Sequence, residues 1–213
     1  MTTTEKRIGL IAGSGEVPLY FARSARDQGI QVYSVALTDD IAKNLSPLVE
    51  KNQTINIGQA GKIRKALVSE EVEGVVIMGK VEKSMIFRIQ KFDLEALKIV
   101  KSLKSNQDKS VMLSIIRHIE SHGAPVLDQK ELVPELFPSK GVLTRIQPSK
   151  EVMADIEYGL PVVRYMADQE IGQTLVVKNK TVIAVEAVEG TDQTLERGCS
   201  YANGKCSVIK VSR

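Results

Sequence analysis

The chain is predicted to be α/β in its first half and a small α+β unit in its second, on three observations. Short apolar runs alternate with helical stretches between residues 8 and 78, the pattern of βαβ units and a parallel sheet. Four of these runs end in turn-forming or capping groups, Gly13–Gly15, Thr38–Asp40, Gly58–Lys62 and Gly79–Lys80. After residue 148 the order changes to helix, hairpin, helix, strand.

Ile8-Gly9-Leu10-Ile11 reads as a strand covered on both faces. Gly13 and Gly15 then allow a sharp turn and a close approach to a ligand. Glu16 and Pro18 suit a first helical turn, and Leu19 to Gln28 continues the helix up to Gly29. Free N–H groups at such a helix start favour anions, phosphates above all. Ile30 to Leu37 is a second strand, Thr38-Asp39-Asp40 caps a weaker helix, and Thr54 to Ile57 is a third strand. A helix follows through Val68, then a strand at Gly74 to Met78. Ligands of parallel sheets sit beyond the carboxyl ends of the strands, so the four turn segments are expected in one crevice.

From Val81 to Gly123 the pattern is helical, and Ala124 to Leu127 resembles a last short strand. Pro134 and Pro138 mark a linker. The expected division is a first domain over 1–128, a linker over 129–147 and a second domain over 148–213. In the second, a helix opens at Pro148-Ser149-Lys150-Glu151 and meets Pro161 near its middle, where a kink or break is expected. Gln173 to Val177 and Thr181 to Val188 form a hairpin, Gly190-Thr191-Asp192 caps a helix, and Ser207 to Val211 is a final strand.

Composition excludes several functions. Hydrophobic residues make up 43% and charged residues 26%, an ordinary globular balance. An aromatic share of 4% without Trp argues against nucleic-acid stacking, and a net charge of +3 is too small to require a polyanion. No apolar run approaches a membrane span and no export signal is expected, so a cytoplasmic protein is. Cys199 and Cys206 are too few for a disulfide framework, though they can face each other.

Several groups are chemically suggestive. Gly13-Ser14-Gly15-Glu16-Val17-Pro18 is a partial dinucleotide fingerprint with Pro18 in place of the third glycine, and Asp39 is a candidate ribose-binding acid. A turn used only for packing is the plainer reading. His118 and His122 share a helix face and suit zinc, but the sequence offers no obvious third ligand. Lys178, Lys180, Lys205 and Lys210 form no basic patch, although Lys210 stands late in an apolar strand. Met85, Ile86, Phe87 and Ile89 fit a buried core or an acyl-binding groove. Glu186 lies in an otherwise apolar strand, where an acid requires a partner. Gly190, Thr191 and Asp192 at a helix start suit Mg²⁺ and phosphate, or simple capping by Thr191.

Three segments together carry a family resemblance. They are Ile8–Pro18 (IGLIAGSGEVP), Gly58–Lys62 with Gly79-Lys80-Val81, and Leu132 to Asp192 with LVPELF, GVLTRIQPS, DIEYG, IGQTLVV and AVEAVEGTD. In these the sequence resembles the LpxI-type UDP-2,3-diacylglucosamine pyrophosphatases of lipid A synthesis. The resemblance implies a Rossmann-like first domain, a distinct second domain and a lipid nucleotide bound between them. It implies Mg²⁺-dependent hydrolysis to UMP and 2,3-diacylglucosamine 1-phosphate (lipid X), at the cytoplasmic face of the inner membrane. On this reading Gly13, Ser14, Gly15, Glu16, Gly79, Lys80, Thr144, Arg145, Gln147, Gln173, Gly190 and Lys210 are candidate substrate contacts. Thr191 and Asp192 are candidates for orienting water or metal, and Glu189 and Asp192 for holding Mg²⁺. Family members carry a further D-x-R-x-D-x-P-like segment with a catalytic aspartate. The sequence ends before it, at Arg213, so the second domain is expected to be incomplete and a homodimer possible. A non-hydrolysing binding homologue and an NAD-dependent oxidoreductase are the alternatives.

Overall fold

The computed structural model describes residues 6–81, 92–102 and 108–212, without the side chains of 102 and 108–113. The chain divides into two compact units, Met1–Ser139 and Lys140–Arg213. Among the described residues no helix is long and apolar enough to cross a membrane.

The first unit is built on four parallel strands: β1 (Arg7–Ala12), β2 (Gln31–Ala36), β3 (Lys51–Thr54) and β4 (Gly74–Met78). They lie in the order β3-β2-β1-β4. Each crossover carries a helix: α1 (Val17–Asp27), α2 (Asp39–Leu45) and α3 (Ala60–Val68). The sheet is thus a Rossmann-like half, with β1 and β2 covered on both faces. Ile8, Leu10 and Ala12 pack with Phe21, Ala22 and Ala25 of α1 and with Ile41 and Leu45 of α2. Ile11 points the other way, into Val35, Ile63 and Leu67 of the opposite layer. Period-two alternation in β1 therefore feeds two cores.

The third strand lies three residues earlier than expected. Lys51-Asn52-Gln53-Thr54 is polar because it forms the sheet edge, where half of each residue meets water. Asn52 is tied inward, accepting from Ser34 Oγ at 2.7 Å and donating to the Ala42 carbonyl at 2.6 Å. Ile55 follows the strand and fills the second core. Packing of Ile55 and Ile57 against the second core, just past the strand end, explains their apolar character.

Helices α4 (Leu94–Ser102) and α5 (Asp108–Glu120) follow. Residues 85–89, with their proposed acyl groove, lie outside the described residues. The short strand expected at 124–127 reduces to one bridge, Val75 with Val126. Much of the expected linker belongs to the first unit: α6 (Gln129–Leu132) and a 3-10 turn (Pro134–Leu136) bury Val133 in its core. Gln129 Nε2 also donates to the Ile77 carbonyl at 2.6 Å.

The second unit has an antiparallel sheet in the order β6-β5-β7, from β5 (Thr174–Lys178), β6 (Thr181–Val185) and β7 (Ser207–Lys210). Helices α7 (Lys150–Asp168) and α8 (Thr191–Tyr201) cover its two faces. Ser149 caps α7 by accepting the Val152 amide, and the helix runs past Pro161 without a break. Gly159 presses α7 onto Leu175, Val177 and Ile209, while Gly198 sets α8 against Val176 on the other face. The hairpin turns through Asn179 and Lys180, both in left-handed conformation with φ of 51° and 55°, as a two-residue primed turn requires.

Asp155 of α7 is buried, and it fastens this turn. It accepts the Lys180 amide at 2.7 Å and the Ser207 hydroxyl at 3.2 Å. Asp155→Ala should therefore cost about 2 kcal/mol, since buried donors lose their acceptor, and Asp155→Asn should recover part of it. Urea unfolding of the three proteins measures the difference. Cys199 and Cys206 are free thiols with Sγ atoms 3.4 Å apart. Oxidised glutathione should accept their two electrons and join them in one disulfide, read as the loss of two titratable thiols and two hydrogens of mass.

Candidate functional site

At the carboxyl ends of β1, β2 and β4 a polar cavity of about 280 Å³ opens. Gly13, Ser14, Gly15, Glu16, Thr38, Asp40 and Lys80 line it. Three of the four turn segments thus meet as expected. The fourth does not: Gly58 and Ala60 border a separate apolar cavity with Ile63, Ile115 and Ile119.

Much of the glycine turn is committed to its own architecture. The Gly13 amide donates to the Met78 carbonyl at 2.8 Å, and Ser14 and Lys80 exchange backbone bonds at 2.9 and 2.8 Å. Ser14 Oγ also reaches the Lys80 carbonyl at 3.1 Å. Gly79, at φ 90°, packs against Gly13 and Pro18. Pro18 therefore fills the space that a helix glycine leaves open in a dinucleotide turn. The amides of Gly15, Glu16, Val17 and Leu19 have no hydrogen-bond acceptor among the described residues. They stand at the start of α1, where the helix dipole favours an anion. Among the described residues, free amide donors of this turn thus begin at Gly15, not at Gly13.

In the second unit a buried polar cluster centres on Glu186. Its carboxylate accepts the Gln173 amide at 3.2 Å and the Thr191 hydroxyl at 3.0 Å. Thr191 lies 3.4 Å from the Thr174 hydroxyl and accepts Lys210 Nζ at 3.1 Å. Burial alone raises the carboxyl's pKa, but hydrogen bonds from Thr174, Gln173 and Thr191 and the charge of Lys210 outweigh it and hold it low. Gly190, at φ 85°, is the N-cap of α8, and Thr191 makes no capping bond because its hydroxyl serves Glu186. Thr174 was not legible as a partner from sequence, since its role depends on β5 passing beside the start of α8.

Glu189 is held by hydrogen bonds within the second unit. Its oxygens accept Arg197 at 2.8 Å, Thr194 at 3.2 Å and the Ala187 amide at 3.2 Å. Its own backbone amide and Arg197 lower its pKa. Asp192 is exposed in the first turn of α8. Thr144, Arg145 and Gln147 lie on an exposed segment, where Thr144 Oγ1 donates to the Ile146 carbonyl at 2.8 Å. Among the described residues, no hydrogen bond or ion pair links these three to the Glu186 cluster.

The histidine pair does have a third potential ligand. Glu95 of α4 lies 2.9 Å from His118 Nε2 and is gripped by Arg64 Nη2 at 2.7 Å and Nε at 3.1 Å. The Arg64 bonds above all, with His118, pull the Glu95 pKa down to about 2. A lowered folded pKa means that stability is gained above the ordinary value of 4.5 and lost as pH falls toward 2. In chelator, Glu95→Gln should therefore destabilise the protein at neutral pH, with the gap closing across that window.

A Rossmann-like sheet whose first helix opens on free amides, followed by a small sheet domain with a buried acid bonded to a threonine beside a lysine, defines a two-domain α/β protein. Residues 7–136 match the LpxI N-terminal domain and 139–213 the LpxI C-terminal domain. The chain belongs to the LpxI family. It is 31% identical over 197 residues to the UDP-2,3-diacylglucosamine pyrophosphatase LpxI of Caulobacter vibrioides, spanning 90% of this chain and 69% of that one. Solved structures are only distantly similar. UDP-glucose 4-epimerase of Thermotoga maritima aligns over 55% of this chain and 35% of its own, at 13% identity and TM-score 0.37. N5-carboxyaminoimidazole synthetase of Staphylococcus aureus aligns over 96% and 46%, at 14% identity and TM-score 0.32. The chain spans less than half of either protein, and these likenesses carry no argument about function.

Proposed function

We propose that the chain hydrolyses the pyrophosphate of UDP-2,3-diacylglucosamine to UMP and lipid X. The observation that carries this reading is the match of both family domains, in order, along residues 7–136 and 139–213. Water adds its oxygen to the α-phosphorus, and the bridging oxygen leaves on the phosphate of the lipid sugar. Such a reaction needs donors and cations where charge grows. The unpaired amides from Gly15 onward and the exposed Lys80 suit one phosphate. Within the second unit, Lys210, anchored through Thr191 to Glu186, is a further cation of the kind a phosphate needs.

Thr191 is best read as a positioning residue, because its proton already serves Glu186. Mg²⁺ binds through one or two carboxylates plus substrate phosphates and keeps several waters. Exposed Asp192 fits that demand, and Glu189, oriented by Arg197 and Thr194, keeps further lone pairs for the same ion. Bound there, Mg²⁺ supplies positive charge to the phosphate oxygens. On this reading the protein works in the cytoplasm against the inner membrane, and a homodimer is part of it.

The test is release of UMP and lipid X in equal amounts from UDP-2,3-diacylglucosamine, abolished by chelator. Lys80→Ala and Lys210→Ala should each lower kcat/KM by roughly ten- to a hundredfold, as loss of a charged donor does. A rise in Tm with substrate but no UMP assigns a binding homologue instead. A rise with NAD alone assigns an oxidoreductase.

A further inference from the structure

We infer that Glu95, His118 and His122 form a binding site for a transition-metal ion such as Zn²⁺, on α4 and α5 of the first unit. One ligand atom from each residue lies within 4.8 Å of the others. A tetrahedral zinc holds nitrogen and oxygen ligands roughly 3.3 Å apart, so side-chain rotation suffices to close the triad on an ion. Two imidazoles and one carboxylate leave the fourth position for water. Imidazole ligation favours zinc, copper or nickel over Mg²⁺, so this site is chemically unlike one for a phosphate-bound magnesium.

The surrounding hydrogen bonds set the ligands up. His122 Nδ1 lies 2.7 Å from the His118 carbonyl, which only accepts, so Nδ1 carries the proton. The lone pair is then on Nε2, at the exposed tip of the ring, as a metal ligand needs. The two rings are close, with centroids 4.6 Å apart. His118 Nε2 and Glu95 Oε2 meet at 2.9 Å. A metal entering there takes the place of the shared proton, which moves to the other ring nitrogen through solvent. Arg64 keeps its grip on both Glu95 oxygens from the far side, because each carboxylate oxygen has a second lone pair. It becomes the outer partner that orients the carboxylate.

An ion-pair network alone accounts for Arg64, Glu95 and His118. It gives no role to His122, so His122 decides the test. The full chain, stripped with chelator and carrying Cys199→Ser and Cys206→Ser, is titrated with Zn²⁺ by calorimetry. About one equivalent should bind, and His122→Ala in the same background should weaken binding at least tenfold, the loss typical of a disturbed metal site. Because the His122 side chain bonds only to Ser121 and to the His118 carbonyl, at the end of α5 and in the turn after it, the fold should survive its removal. Nitrogen chemical shifts should report metal at His122 Nε2 and a retained proton at Nδ1. Absence of zinc binding, full affinity in His122→Ala, or unmoved imidazole signals would each overturn the site.

Discussion

Glu186→Ala should destabilise the second unit by about 2 kcal/mol, the cost of leaving the Gln173 amide and the Thr191 hydroxyl without their acceptor. The Gln173 amide and the Thr191 hydroxyl both lose their acceptor, and Lys210 loses the acid that holds it. Glu186→Gln keeps the shape and one acceptor, so a smaller loss of about 1 kcal/mol is expected. The folded pKa of Glu186 lies below its ordinary 4.5. Its charge therefore stabilises the fold above 4.5, and that contribution fades as pH falls through the lower folded value. Urea titrations at neutral and acid pH should show the gap between wild type and Glu186→Gln narrowing on acidification. A gap that widens would remove the charged cluster from the account. On the proposed reaction, both variants should also lose turnover, because Lys210 no longer has a fixed position.

Gly13→Ala should cost about 2–3 kcal/mol and reshape the polar cavity, since an added methyl has nowhere to go. A Cβ at Gly13 would lie 2.5 Å from the Lys80 carbonyl oxygen and 2.9 Å from its carbon. Both are backbone atoms, so relief requires breaking the Ser14–Lys80 bridge that sets the end of β4 beside the turn. Gly15→Ala is the contrasting case. Its Cβ meets nothing within 4 Å, and only its φ of 104° opposes a side chain, a strain of about 1 kcal/mol. Thermal melts should rank Gly13→Ala well below Gly15→Ala. The reverse order would mean that the turn is held by conformation, not by packing. Substrate affinity should fall in Gly13→Ala even where the protein stays folded, because Lys80 moves with the bridge.

The sequence by itself determined the order of elements and the family. Short apolar runs at residues 8–11 and 74–78, bounded by turn signals, and alternation over 30–37 mark strands of a covered sheet. Asn179 and Lys180 did not announce their turn type, yet the apolar runs flanking them marked the hairpin. Glu186 was legible as a buried acid that needs a partner. Its partners were not, because Gln173, Thr174, Thr191 and Lys210 come together only when β5, the start of α8 and β7 are packed.

Tertiary structure alone decided the rest. Local apolar pattern misplaced β3, since Ile55 is buried by the core beyond the strand while the strand itself is a polar edge. Glycine spacing suggested amides free for phosphate at Gly13. Those of Gly13 and Ser14 are consumed by Met78 at the end of β4 and by Lys80 just past it, and the free donors begin at Gly15. Spacing of four put His118 and His122 on one helix face, but Glu95 reaches them only through the packing of α4 against α5. Pairing along one helix is a local property that sequence encodes directly. A site assembled from distant segments depends on register and packing, which sequence encodes only through the whole fold.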